Sequence, residues 1–192
     1  MQAEGLIFLP GLFGLVVTFD HLNTRGLYLL MKNLERHLGD LLRARGWKLA
    51  VAESCTGGLI ADRLTDIPGS SDYFVGGVVA YAYEAKVTLL RVSWDTLRRY
   101  GAVSRETVIE MARGVRTILG ADLAVSVSGI AGPTGGLPGK PVGTTWIGLS
   151  ATDGDWARHF VWQGDRRANK QSSARAALQF ILDYLSSPGF AG

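Results

Sequence analysis

One cysteine among 192 residues, Cys55, leaves no room for an internal disulfide framework or a cysteine-based zinc site. Histidine is scarce too: His21, His37 and His159 are widely separated and form no H-x-H or H-x-x-x-H pair. The expectation is therefore no metal centre and no cofactor. Charge of one sign is never concentrated. Lysine plus arginine total 20 against 17 acidic residues, a net charge of +3, and no five like charges run together. A pI near 9.2 suits an anionic partner, but the basic residues form no nucleic-acid stripe, so no nucleic acid is expected. The apolar stretch Leu6–Phe19 is interrupted by Pro10, Gly11 and Gly14. It falls short of the roughly 20 residues a membrane helix needs. No basic segment precedes it as in a secretory signal, so the chain is expected to be cytoplasmic, off the membrane.

What is present reads as one globular domain. The length fits a single domain, and 47% hydrophobic with 19% charged residues excludes a disordered chain. Glycine is abundant, 25 of 192 residues, against a usual share of about 7%. It shows no three-residue period, so these glycines serve turns and close backbone approaches. Met31 opens an ordinary soluble helix pattern. Residues 1–30 are accordingly expected to be an N-terminal extension outside the fold, and residues 31–192 the domain.

Along the domain, strands and helices alternate. Leu34, Leu38, Leu41 and Leu42 fall at helical spacing before Gly46, which predicts a helix over 32–45. Strands are predicted over 47–53, 73–82 and 122–128, and helices over 59–65, 84–90, 95–100 and 105–119. A long Gly/Pro loop covers 129–142. A hairpin of 144–151 and 155–162 precedes a final helix, 167–185. This order predicts an α/β fold: a single-domain α/β/α sandwich with a mixed sheet.

Three turns carry chemistry. Glu53-Ser54-Cys55-Thr56-Gly57-Gly58 sits where a strand gives way to a helix, the ligand side of an open α/β sheet. Its backbone N–H groups and the helix dipole favour an anion there. Read locally, Ser54 is either a helix N-cap or a nucleophile over an oxyanion hole, and Cys55 is a rival nucleophile or a small buried thiol. Tyr81 to Lys86 runs from a strand into a helix. With no histidine nearby, Lys86 serves as a base only if burial lowers its pKa from about 10.4 toward 7–8; otherwise it is a solvated helix lysine, and Tyr81 a core aromatic. The loop from Ser128 through Gly132 to Gly136 is long enough to point to binding. It matches neither a Walker loop nor a dinucleotide turn. Gly164-Asp165-Arg166-Arg167 opens the last helix, where an arginine either clamps an anion or is simply solvated.

Taken together, A-E-S-C-T-G-G (52–58), Y-x-x-E-A-K (81–86), G-A-V-S (101–104), S-G-I-A-G-P (128–133), K-P-V-G-T (140–144) and G-D-R (164–166) resemble one family across roughly 32–185. It is the CinA C-terminal domain family, whose stand-alone members include nicotinamide-nucleotide amidohydrolases. The resemblance implies hydrolysis of the carboxamide of nicotinamide mononucleotide to nicotinate mononucleotide and ammonia, in pyridine-nucleotide salvage. It implies Ser54 as nucleophile, Lys86 as general base and Tyr81 in proton transfer. Thr56, Gly57 and Gly58 would shape the oxyanion hole. Ser128, Gly129, Ile130, Ala131, Gly132 and Arg166 would hold the nucleotide. It also implies a pyridine nucleotide as partner, no metal, and a homodimer as a further expectation. Many relatives carry Asn where this chain has Tyr83. The alternative is a non-catalytic nucleotide-binding module associated with competence or the DNA-damage response.

Overall fold

The computed structural model describes residues 24–187 and residue 190. The expectation for residues 1–30 lies mostly outside them. Helix α1 spans Thr24–Arg45, eight residues longer at its start than the leucine spacing predicts, because no proline interrupts the chain between Thr24 and Gly46. There follow β1 (Leu49–Glu53), α2 (Leu59–Thr65), a 3₁₀ turn (Ser70–Asp72), β2 (Phe74–Val79), α3 (Tyr83–Leu90) and α4 (Trp94–Tyr100). The chain continues with α5 (Arg105–Leu119), β3 (Leu123–Gly129), β4 (Thr144–Ser150), β5 (Asp155–Val161) and α6 (Arg166–Ser186). None of the described helices is long and apolar enough to cross a membrane.

The five strands lie in the order β2-β1-β3-β4-β5. Strand β1 pairs parallel with β2 and β3, while β3–β4 and β4–β5 are antiparallel. This is the mixed sheet that the element order predicts. Because β1 lies between β2 and β3, all five of its residues are buried, which its continuous apolar run Leu49-Ala50-Val51-Ala52 anticipates.

Alternation along the strands builds two different faces. One carries Leu49, Val51, Val125, Val127, Ile147 and Leu149, packed against α1, α2 and α6. The other carries Ala50, Ala52 and Ala124, packed against Leu90, Leu97, Met111 and Val115. Small residues on this second face let α5 come close. Ser126 Oγ donates to the Val108 carbonyl at 2.5 Å, and a Cβ on Gly148 would meet that same oxygen at 2.5 Å. On its outer side α5 is as tightly held, since a Cβ on Gly114 would lie 1.9 Å from the Leu90 carbonyl oxygen.

Gly114 tests this packing through the sign of one substitution. In a free helix, Gly→Ala gains about 1 kcal/mol. Here the new methyl strikes backbone, so α3 and α5 must separate, at an overpacking cost of about 1–3 kcal/mol beyond that gain. Gly114→Ala is expected to lower the midpoint of denaturant unfolding; a raised midpoint would contradict the close packing.

Candidate active site

The parallel strand ends create the site. Glu53 stands opposite Val79 on β2 and Val127 on β3, so the turns following β1, β2 and β3 emerge along one edge. Ser54 is the first residue past β1, and its N–H donates to the Val127 carbonyl at 3.0 Å. Past β2 the chain leaves the sheet at Ala80, whose N–H donates to the Glu53 carbonyl at 2.8 Å. It then turns into α3. Lys86 occupies the first turn of that helix, where side chains lean back toward the N-terminus.

This lean brings the amine onto the turn it has just left. Lys86 Nζ donates to Ser54 Oγ at 2.9 Å, to the Ala80 carbonyl at 2.7 Å and to the Tyr81 carbonyl at 3.4 Å. The lysine is 1% exposed, and among the described residues it has no carboxylate partner within ion-pair distance. Burial therefore dominates, lowering its pKa from the ordinary 10.5 to about 8. The solvated-lysine reading does not hold.

Two of the three acceptors are carbonyls, which can never donate. When the amine loses a proton, its remaining N–H groups stay on Ala80 and Tyr81, and its lone pair is left facing the only partner with a proton of its own, the Ser54 hydroxyl. The arrangement is a serine hydrogen-bonded to an enclosed base. Cys55, the rival nucleophile, is driven the other way: burial pushes its thiol up to about 11, so it stays protonated at neutral pH. It packs where a Cβ on Gly129 would lie 3.1 Å from its sulfur.

Ser54 and Lys86 open onto a cavity of 260 Å³, also lined by Tyr81, by Ser128–Gly132 and by Arg166. The Ser128–Gly132 wall is fastened from α6 and β4. Ile130 N–H donates to the Thr144 carbonyl, Asn169 Nδ2 to the Ala131 carbonyl, and Arg166 Nη1 to the Gly132 carbonyl at 2.7 Å. Asp165 is the helix cap, accepting from the Ala168 N–H, while Arg166 points into the site.

Three expectations change in the structure. Gly57 and Gly58 were assigned to the oxyanion hole, but their N–H groups are taken, by the Ser54 carbonyl at 3.2 Å and by Glu53 Oε2 at 2.9 Å. Neither glycine lines the cavity at Ser54, and Thr56 lines the neighbouring one. Second, the start of α2 is no free anion site: the buried Glu53 carboxylate also accepts from Ile60 and Ala61 N–H, filling the helix end with an internal anion. Glu53 is the residue that the motif reading passed over. Its signal was a carboxylate placed immediately before the first turn of a helix. Third, Tyr81 is 62% exposed. Its phenol accepts from Arg166 Nη2 at 3.0 Å, and its link to Lys86 runs through its backbone carbonyl. Tyr83 does not line the cavity; its hydroxyl accepts from Ala102 N–H at 3.2 Å and holds the wall that Ala102 and Val103 form.

Comparison with known proteins agrees with this architecture. Residues 31–185 match the CinA C-terminal domain. A putative competence-damage inducible protein of Halothermothrix orenii is 49% identical over 154 residues, 80% of this chain but 37% of that protein. A CinA-like protein of Salinibacter ruber is 53% identical, over 76% of this chain and 35% of its own length. The chain thus spans little more than a third of these relatives. A nicotinamide-nucleotide amidohydrolase PncC of Enterobacter agglomerans is 50% identical over 79% of this chain and 93% of its own length. A crystal structure of a CinA superfamily protein from Klebsiella pneumoniae superimposes with a TM-score of 0.79 at 36% identity, covering 81% of this chain and 98% of that one. With a family match over most of its length and a relative matched nearly end to end, the chain belongs to the CinA C-terminal domain family.

Proposed function

We propose that this protein hydrolyses the carboxamide of nicotinamide mononucleotide, releasing ammonia and nicotinate mononucleotide, through a Ser54–Lys86 pair. The observation that carries the reading is the 2.9 Å contact between Ser54 Oγ and a buried amine that no carboxylate among the described residues neutralises. The relative named nicotinamide-nucleotide amidohydrolase supplies the substrate. The turn that carries Ser54 supports the chemistry.

Neutral Lys86 accepts the Ser54 proton as the oxygen attacks the carboxamide carbon, giving a tetrahedral oxyanion and an ammonium on Lys86. Collapse breaks the C–N bond, and the Lys86 proton leaves with the nitrogen as ammonia. The acyl group stays on Ser54 as an ester. Water, deprotonated by the same amine, then cleaves it to the carboxylate and restores Ser54. For the oxyanion we assign the N–H groups of Cys55 and Thr56. Among the described residues neither donates to a protein acceptor, whereas Gly57 and Gly58 both do. Each such donor lowers the barrier by roughly 3–4 kcal/mol.

Two measurements test this. Ser54→Ala is expected to cut ammonia release at least about 10³-fold while calorimetry still shows nucleotide binding; an active Ser54→Ala enzyme would sink the serine mechanism. If wild-type protein binds the nucleotide but releases no ammonia, the chain is a binding module instead. The second measurement is the pH profile of kcat/KM, which reports the free enzyme. The base works deprotonated, so kcat/KM should climb about tenfold per unit below the Lys86 pKa and level off above about 8. A profile flat from pH 6 to 9 would exclude Lys86 as the base.

A further inference from the structure

Glu53 is 1% exposed, and among the described residues its carboxylate has no cationic partner. A buried carboxylate without a counter-ion persists only where hydrogen bonds compensate its lost hydration. Three do so, from the N–H groups of Gly58, Ile60 and Ala61 at 2.9, 3.1 and 2.9 Å. Capping a short helix does not call for this. Helices α4, α5 and α6 are capped by the residue at their own start, Ser93, Ser104 and Asp165, each accepting from one N–H of the first turn. For α2 the acceptor is instead the last residue of β1, and its reach spans the whole turn that carries Ser54.

That turn is fixed at one end by the sheet. Ser54 N–H donates to the Val127 carbonyl at 3.0 Å, and Gly57 N–H closes onto the Ser54 carbonyl at 3.2 Å. A turn closed in this way leaves the N–H groups of its two central residues, Cys55 and Thr56, without an acceptor inside it. Its exit is soft, because Gly57 and Gly58 have φ of 65° and 98°, a region glycine enters freely. Among the described residues no side chain between 54 and 57 bonds to the turn's backbone. Ser54 Oγ is engaged by Lys86, and the buried Thr56 hydroxyl has no partner. The far end is therefore held by Glu53, through Gly58 and the first residues of α2.

We propose that Glu53 is a positioning residue for the hydrolysis: its carboxylate fixes the 54–58 turn so that the Cys55 and Thr56 N–H groups meet the oxyanion formed at Ser54. Glu53 touches no reacting atom and acts through those two donors. The role calls for a carboxylate, which only accepts; an amide offers one oxygen and sets its own N–H groups against those of the helix. Oxyanion donors act in the transition state, so their misalignment lowers kcat and spares substrate binding.

The inference rests on the amidohydrolase reading above, and the experiment separates the two. Wild type, Glu53→Gln and Glu53→Asp are compared below their unfolding midpoints for ammonia release from nicotinamide mononucleotide and, by calorimetry, for nucleotide Kd. Their affinity for pyridine-3-boronic acid is measured as well. Its boron adds Ser54 Oγ to give a tetrahedral anion, while the hydroxyl proton passes to Lys86. In Glu53→Gln kcat is expected to fall about 10²-fold, as for one lost oxyanion donor, with KM and Kd within about twofold and boronate affinity falling alongside kcat. Glu53→Asp keeps the charge but reaches one methylene less, and should lose about tenfold in the same pattern; it carries the test if the Gln variant does not fold. Wild-type kcat in a folded variant, or a loss carried by KM and Kd, overturns the positioning role and leaves the amidohydrolase standing. So does a pH limb of kcat/KM displaced by about one unit or more, which would mean that Glu53 acts on the base. Failure of both variants to fold assigns Glu53 to the fold alone and also overturns it. If wild type releases no ammonia, the amidohydrolase reading fails and the boronate decides. An affinity that falls in the variants supports the positioning role; an unchanged affinity, or no adduct on wild type, overturns it.

Discussion

Everything chemical in this molecule depends on an amine buried without a counter-charge. Moving Lys86 from its ordinary 10.5 to about 8 corresponds to roughly 3 kcal/mol withheld from the protonated form. At pH 7 about one molecule in ten would then carry the neutral amine, far more than a solvated lysine offers. A carboxylate beside Lys86 would undo this by holding the proton in place. The chain instead surrounds the amine with a hydroxyl and two backbone carbonyls, which satisfy its donors without charging its surroundings.

The carboxylate that precedes Ser54, Glu53, is held at the start of α2 by its own three hydrogen bonds. Its side chain turns to the N–H groups of Gly58, Ile60 and Ala61, whereas its backbone carbonyl receives Ala80 N–H. A single residue therefore closes the start of α2 and ties β1 to the strand that leads to Lys86. It also redistributes the electrostatics of the site. With the α2 terminus filled by an internal anion, the uncompensated positive charge lies across the cavity, at the start of α6. Motif reasoning placed a free anion site at α2 because the spacing of Gly57 and Gly58 shows a free terminus, and only the rotamer of Glu53 shows it occupied.

Sequence patterns were enough for the sheet and for most of the helices, because apolar period and glycine stops act locally. Leu34, Leu38 and Leu42 define a face without help from the rest of the chain. Ser54 and Lys86 were likewise legible as candidates from motif order. Their contact was not: it joins residues 32 apart in sequence and exists only because β1 and β2 run parallel, ending on one edge. The Tyr81 phenol could not be placed either. Its partner, Arg166, lies 85 residues away on α6, and nothing near Tyr81 in sequence indicates that its carbonyl, not its hydroxyl, faces the amine.

The apolar core reaches the walls of the site only at Cys55 and Ala131, and polar ties join the rest. Arg166 links the turn after β2, through Tyr81, to the loop after β3, through Gly132. Asn169 holds Ala131 from one turn further along α6. Lys140 Nζ reaches the Tyr100 carbonyl at 2.8 Å, so the long loop is pinned to the end of α4, and Tyr83 pins the adjoining Ala102. Such ties contribute about 0.5–1.5 kcal/mol each when neutral and somewhat more at a charged group, too little apiece to hold a wall closed permanently. They join the three turns over the sheet, around the cavity onto which Ser54 and Lys86 open. Tyr83 fits this arrangement. It acts on the cavity through the Gly101–Val103 segment, so its bulk affects how that wall is held and leaves the contact between Ser54 and Lys86 untouched.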